Sequence, residues 1–116
     1  MIRFFFVLFA VFISLNSFSY SEKDSLIQLA ENNSNKYTRR VDAYSKLIVV
    51  YSKISKDSSL MYGNKLLQIS KKNGDDNRIV KTYNNIGITY KAKKQYENAI
   101  QWYKTAYSMG NINIAH

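Results

Sequence analysis

The sequence predicts an all-α fold, antiparallel helical hairpins stacked into a short solenoid. Three observations carry this: a self-similarity at a 40-residue offset, apolar residues at the period of a helix, and helix stop and start residues between the apolar segments. The 40-residue shift sets Leu26, Ile27, Gln28 and Leu29 on Leu66, Leu67, Gln68 and Ile69, and these on Ala106, Tyr107, Ser108 and Met109. It also sets Ser59 on Ala99. Repetition at such an interval marks a supersecondary unit that buries its apolar face against its neighbours.

Within a unit, Ile79, Tyr83, Ile86, Gly87 and Tyr90 stand at i, i+4, i+7, i+8 and i+11, the stripe of one buried helix face. Ala99, Tyr103, Ala106 and Tyr107 repeat the pattern, and no segment alternates long enough to argue for a strand. Five helices are expected: Glu22 to Asn32, Thr38 to Lys53, Ser58 to Asn73, Asn77 to Lys93 and Tyr96 to Met109. Ser21 with Asp24 forms a capping box for the first, and Asp57 with Ser58 opens the third. Gly74 stops a helix whose closing turn carries Lys71 and Lys72, where cations suit the helix dipole, and Asp75, Asp76 and Asn77 offer caps to the next. The connections are short, so successive helices should pack antiparallel.

Ahead of this domain, Met1, Ile2 and Arg3 make a short positive start and Phe4 to Ile13 is almost wholly apolar. Asn16, Ser17, Ser19 and Ser21 interrupt the run before it reaches the roughly 20 residues of a spanning helix. Residues 1–19 therefore read as a secretory signal peptide cut after Ser19, leaving a repeat domain over residues 20–116. The expected location is periplasmic or cell-envelope, with a membrane tether if the signal is retained. No cysteine is present, which excludes disulfides, thiolate metal sites and a lipid-modified cysteine.

The formal charge is +9, from 17 basic and 8 acidic residues, and falls to +8 once Arg3 leaves with the signal. Such a balance invites a nucleic-acid reading. The basic residues are spread along the chain rather than clustered, and the composition is rich in Lys, Asn, Ile, Tyr and Ser throughout, so no nucleic-acid partner is expected.

Tyr83, Ile86, Gly87, Tyr90, Ala99 and Tyr103 resemble the tetratricopeptide signature: an aromatic, a Leu-Gly pair, Tyr, a small residue nine positions on, and an aromatic four beyond. Ala106 falls on the second small position, while Asn111 stands near the place of the proline that often closes the unit. The packing reason is that Gly87 and Ala99 let two helices approach closely, while Tyr83, Tyr90 and Tyr103 fill the wider gaps. In the preceding unit Tyr44, Leu47, Ile48 and Tyr51 take the first-helix positions, Ser59 replaces the small Ala, and Gly63 stands where the second aromatic would be. Glu22 to Asn32 then reads as the second helix of an incomplete leading unit.

The family's usual unit has 34 residues, so the longer spacing is expected to place about six extra residues around Lys72 to Arg78. Extended spacing of this kind resembles the repeats that precede the membrane segment in many bacterial sensor kinases and regulators. The resemblance implies a scaffold for a protein or peptide partner, or alternatively the extracytoplasmic input segment of a larger signal-transduction protein.

Catalytic chemistry is not expected. His116 is the only histidine and the last residue, so neither a nucleophile–histidine–carboxylate arrangement nor a multi-histidine metal site can be assembled. Asp75 and Asp76 read as caps, and the four glycines never cluster into a phosphate-cradling loop. No metal, cofactor or small-molecule substrate is expected, and Trp102 should be partly buried beside the apolar stripe.

What remains is surface. By the resemblance, the first helix of each unit lines a groove, which places Lys81, Asn84, Asn85, Ile88 and Lys91 there, joined from the preceding unit by Asp42, Ser45, Val49 and Ser52. Amides and lysines beside an aliphatic side chain suit an extended peptide, pairing its backbone and attracting its carboxylates. Members of the family that grip a C-terminal carboxylate use a Lys and an Asn where Ser45 and Val49 stand here, so that clamp is not expected.

Gly110 is expected to end the last helix, with Asn111 to His116 opening a further one. Tyr103, Ala106, Tyr107 and Met109 should then form an apolar strip that a continuing chain or a second copy would cover.

Overall fold

Helix length rather than loop length produces the 40-residue period. The structure, a computed structural model, describes the backbone of residues 22–115 and side chains as far as Gly110; the expected signal segment 1–19 and Ser21 lie outside the described residues. Among the described residues five helices follow in order: α1 over 22–31, α2 Tyr37–Ser52, α3 Lys56–Lys72, α4 Asp76–Ala92 and α5 Tyr96–Ala115. Connections of three residues, 53–55, 73–75 and 93–95, separate α2 to α5, so two 17-residue helices and two such turns make one period. This corrects the expectation of extra residues around Lys72 to Arg78: only Asn73, Gly74 and Asp75 stand between α3 and α4.

The turns show why the helices stop where they do. At the end of α3, Gly74 adopts φ 62°, and the Asp75 N–H reaches back to the Ser70 carbonyl at 2.9 Å. Twenty residues on, Lys94 adopts φ 60°, and the Gln95 N–H bonds the Tyr90 carbonyl at 2.9 Å. Both are left-handed closures that satisfy carbonyls at a helix end. The Asp75 side chain then accepts from the Arg78 N–H and caps α4. Ser55 does the same for α3 by accepting from the Ser58 N–H, so α3 begins at Lys56 and not at Ser58 as expected. Gly110 does not end α5 either. It lacks the left-handed φ of a terminating glycine, and the helix continues to Ala115 through residues expected to start a new element.

α2 with α3 and α4 with α5 form two antiparallel hairpins; α3 packs on α4, and α2 lies beside α4. The first core fills the space among α1, α2 and α3 with Ala30, Val41, Tyr44, Leu47, Ile48 and Leu66, joined by the half-buried Leu26, Ile27 and Leu29. A second lies among α3, α4 and α5, where Leu67, Ile79 and Ile86 are joined by Leu60, Tyr83, Tyr90, Trp102 and Met109. Adjacent residues of α3, Leu66 and Leu67, therefore serve different cores, and this helix joins the two hairpins. Full burial of an aliphatic side chain stabilises by about 1.5–3 kcal/mol, so losing Leu66 would weaken the first core and losing Leu67 the second.

Hydroxyls reinforce that junction. The buried Ser59 Oγ donates to the Ile48 carbonyl at 2.7 Å and lies 2.8 Å from the Thr89 Oγ1, linking α2, α3 and α4 at one point. Where the resemblance sets an alanine, this chain has gained a polar contact across three helices. Lys56 spans the two hairpins from the surface, bonding Gln95 Oε1 at 2.6 Å with its ammonium 4.9 Å from the Tyr90 ring centroid.

Candidate partner-binding groove

The groove rests on the parallel placement of the two first helices. α2 and α4 lie side by side, and Lys81, Asn84, Asn85, Ile88 and Lys91 fall on one face of α4 because they follow the helical period. Lys81, Asn84, Ile88 and Lys91 are exposed and Asn85 is half-buried. A shallow hollow brings Asn85 together with Ser45, Lys46, Val49 and Val50 of α2, and its rim is completed by Glu22 and Leu26 of α1. Of the five residues expected on α4, Asn85 alone lines this hollow; the others continue the same face beyond it. Lys46 and the α1 residues were not expected from the sequence. Their place depends on how α1 lies against α2, which no local pattern states.

Ser52 does not belong to the groove. It is buried, and its Oγ donates to the Val49 carbonyl at 2.6 Å, the local bond a short hydroxyl side chain makes near a helix end. Asp42 and Ser45 are held by a residue that sequence reasoning missed. The Arg78 guanidinium donates from NH1 to Ser45 Oγ at 3.2 Å and from NH2 to Asp42 Oδ1 at 3.0 Å, tying α4 to α2 at one end of the face. Asp42 is thereby paired rather than free for a cationic partner, and the hollow itself carries one charge of each sign, Lys46 and Glu22.

The same end carries a second polar link. Tyr37 Oη donates to Asp75 Oδ2 at 2.8 Å, joining the start of α2 to the cap of α4. That bond holds the Asp75 carboxyl below its usual range, helped by the Arg78 N–H and opposed by desolvation. The Tyr37 phenol is pushed up, first by burial and then by the Asp75 bond.

The signature residues divide by size. Ile86, Gly87, Ala99 and Ala106 are buried, whereas Tyr83, Tyr90 and Tyr103 are half-buried at the hairpin surface. Trp102 sits over both Tyr83 and Tyr90, with ring centroids at 5.5 and 6.4 Å. It is a packed side chain, in keeping with the partial burial expected. The expected strip on α5 is different in detail: Ala106 is buried and Met109 packs into the second core, while Tyr107 is 72% exposed. Ala106 and Met109 turn inward because they continue the flank of Ala99, Ala106 seven residues on and Met109 three beyond it.

Among the described residues, no three His, Cys, Asp or Glu side chains gather in a way that could hold a metal ion. No helix among them is long and apolar enough to cross a membrane. Comparisons with curated proteins and with solved structures return no match. The family model described as tetratricopeptide repeat matches residues 39–111, from the first turn of α2 to the last part of α5. Stacked helical hairpins, small residues at Gly87, Ala99 and Ala106, and this match over most of the chain agree, and the chain belongs to the tetratricopeptide repeat family.

Proposed function

We propose that this chain is an exported scaffold that binds an extended protein or peptide segment along the α2–α4 face. Repeats of this family generally mediate protein–protein interaction. The observation that carries the reading is the chemistry of the face: Asn85, Ser45 and Lys46 meet beside Val49, which is 50% exposed, and Ile88 follows at 42%. Amide and hydroxyl groups can pair a peptide backbone, exposed aliphatics can take an apolar side chain, and Lys46, Lys81 and Lys91 favour acidic residues nearby. The scaffold takes no part in catalysis and uses no cofactor.

A peptide array probed with the mature chain, followed by titration of the strongest acidic hit, tests this. Asn84→Ala with Asn85→Ala should weaken that peptide at least tenfold while helix content by circular dichroism stays unchanged. Association should slow as salt rises, because attraction by exposed lysines is screened beyond about 10 Å at 0.1 M salt. Unchanged affinity in the double variant would remove the site from this face.

Export rests on the positive start and apolar run of residues 1–13. Intact mass of the secreted protein should give a chain beginning at Tyr20, and recovery of the full-length chain in the inner membrane would replace cleavage by anchoring. A second reading is favoured by the 17-residue helices that lengthen the unit to 40 residues: the domain serves as the extracytoplasmic input of a larger signalling protein. A reading frame that runs on past His116 into a membrane span would select it.

A further inference from the structure

The outer face of α5 carries an apolar stripe with no cover among the described residues. Tyr96, Ile100, Tyr103 and Tyr107 follow spacings of four, three and four. Three of them rank among the exposed large apolar residues, at 57%, 50% and 72% for Tyr96, Ile100 and Tyr107. Tyr103 is half-buried, and it lines a surface hollow with Ile100, Lys104, Tyr107 and Ser108. The opposite flank of the helix, Ala99 and Ala106, is already spent against α4.

The repeat shows what such a face accepts. Forty residues earlier, Leu60, Gly63 and Leu67 occupy the places of Ile100, Tyr103 and Tyr107, and α4 closes over them, with Ile86 3.1 Å from the point where a Gly63 Cβ would stand. The element that covers this face within the molecule is thus an antiparallel helix. Spacings of four and three are also those of a two-helix seam, in which the stripe of one helix meets that of another.

Charge selects the partner. Glu97 and Lys104, both exposed, flank the stripe on the side away from α4 and lie seven residues apart. Two copies of α5 placed antiparallel, with the two-fold axis between Ile100 and Tyr103, set Tyr96 across from Tyr107 and Ile100 across from Tyr103. The same placement sets Glu97 of each copy near Lys104 of the other, twice over. In a parallel pair the flank carrying Glu97 and Lys104 falls on opposite sides of the seam in the two copies, so neither Glu97–Lys104 contact forms and nothing in the charge pattern supports that arrangement. We infer that α5 is a self-association surface on which a second copy of this chain packs antiparallel, with two symmetry-related Glu97–Lys104 contacts. An isologous contact of this kind closes on itself as a dimer, leaving both α2–α4 faces open. The inference extends the reading of the domain as a protein-binding scaffold but does not depend on the groove.

Sedimentation equilibrium of the mature chain from micromolar to millimolar concentration tests it. A monomer–dimer equilibrium is expected, and Tyr107→Glu should abolish the dimer while circular dichroism shows the same helix content. Glu97→Lys and Lys104→Glu should each weaken the dimer about fivefold, from two like-charge contacts. Together, Glu97→Lys/Lys104→Glu should return it to within about twofold of the wild type, a recovery that only opposed pairing produces. A monomer at every concentration, or a dimer indifferent to Tyr107→Glu, would overturn the inference. So would a double charge exchange no better than either single one. Asn84→Ala/Asn85→Ala should leave the dimer intact, so failure of the groove reading and failure of this one are told apart; loss of the dimer in that variant would place the contact elsewhere and overturn it.

Discussion

Gly87 on α4 lies against the ring of Tyr103 on α5, so closely that a Cβ built on Gly87 would stand 2.6 Å from Tyr103 Cε1. The glycine of the signature is therefore the floor on which the second-helix aromatic rests. Gly87→Leu should destabilise by about 1–3 kcal/mol through overpacking. Gly87→Ala sets two effects against each other: a gain in helix propensity of about 1 kcal/mol and the displacement of a half-buried ring. In a Tyr103→Ala background the ring is gone, and Gly87→Ala should then stabilise by about that 1 kcal/mol. Denaturant titrations of the four variants would measure the coupling, and additivity between the two sites would show that the contact carries no energy.

Lys94 repeats a conformation that the chain elsewhere gives to glycine. Its φ of 60° matches the 62° of Gly74, and no atom lies within 4 Å of a Cβ built on Gly74, so the two turns differ in backbone preference and not in packing. A non-glycine residue in the left-handed region costs about 1–2 kcal/mol, part of which glycine returns as extra freedom of the unfolded chain. Lys94→Gly should stabilise by roughly 0.5–1 kcal/mol, raising the thermal midpoint by several degrees in a domain of this size. Gly74→Ala should lower it by a similar amount. A lower midpoint for Lys94→Gly would mean that the lysine side chain contributes more than its strained backbone removes.

These two sites also show what was legible in the sequence. Gly87 with Ala99 and Ala106 could be read directly, because a small residue at a fixed place in a helical stripe has one packing meaning. Helix spans followed from the apolar period, yet Ser55 and Ser58 are both good caps within one turn, and only the Ser55 side chain reaching the Ser58 N–H decides the start of α3. Length was ambiguous in the same way: six additional residues per unit lengthen a loop or its helices, and composition around Lys72 to Arg78 suits both. The link from Arg78 to Asp42 and Ser45 was not legible, since it depends on the lateral placement of α4 beside α2. Tyr107 and Ala106 are neighbours in an apolar run, and only the phase of α5 against α4 buries one and exposes the other.

The Tyr37–Asp75 bond predicts an acid limit to stability. Asp75 accepts from Tyr37 Oη and from the Arg78 N–H, and its carboxyl is held below the usual value. A lowered folded value means that the contribution is fully present above the carboxyl's unfolded value and is lost as pH falls through the folded one. Tyr37 works in the opposite direction: its raised value leaves its contribution intact below the ordinary phenol range and lost as pH rises through the folded value. Below about pH 4 the wild type should lose thermal stability more steeply than Asp75→Asn, which can still cap α4, and more steeply than Tyr37→Phe. Parallel midpoint curves for all three proteins would show that this carboxylate has the same proton affinity folded and unfolded.

Two serines on α3 make opposite predictions for one substitution. Ser59 and Ser70 are both fully buried at 0% exposure, yet Ser59 Oγ bonds the Ile48 carbonyl and Thr89, whereas Ser70 Oγ makes no hydrogen bond of normal geometry and has only the Tyr37 phenol close by, itself committed to Asp75. A buried hydroxyl without a partner keeps its desolvation cost, about 1–3 kcal/mol, and serine is also a weaker helix former than alanine. The repeat has already made the replacement once, because the residue forty positions before Ser70 is Ala30, equally buried at 0%. Ser70→Ala should therefore stabilise by about 1 kcal/mol. Ser59→Ala should destabilise by about 1 kcal/mol, since it unlinks α3 from α2 and α4 and leaves Thr89 only the Asn85 carbonyl, 3.2 Å away. Equilibrium unfolding of the two variants under identical conditions checks the pair. If Ser70→Ala lowers stability as much as Ser59→Ala does, then the Ser70 hydroxyl is bonded in solution, and the end of α3 packs differently against the Tyr37–Asp75 link.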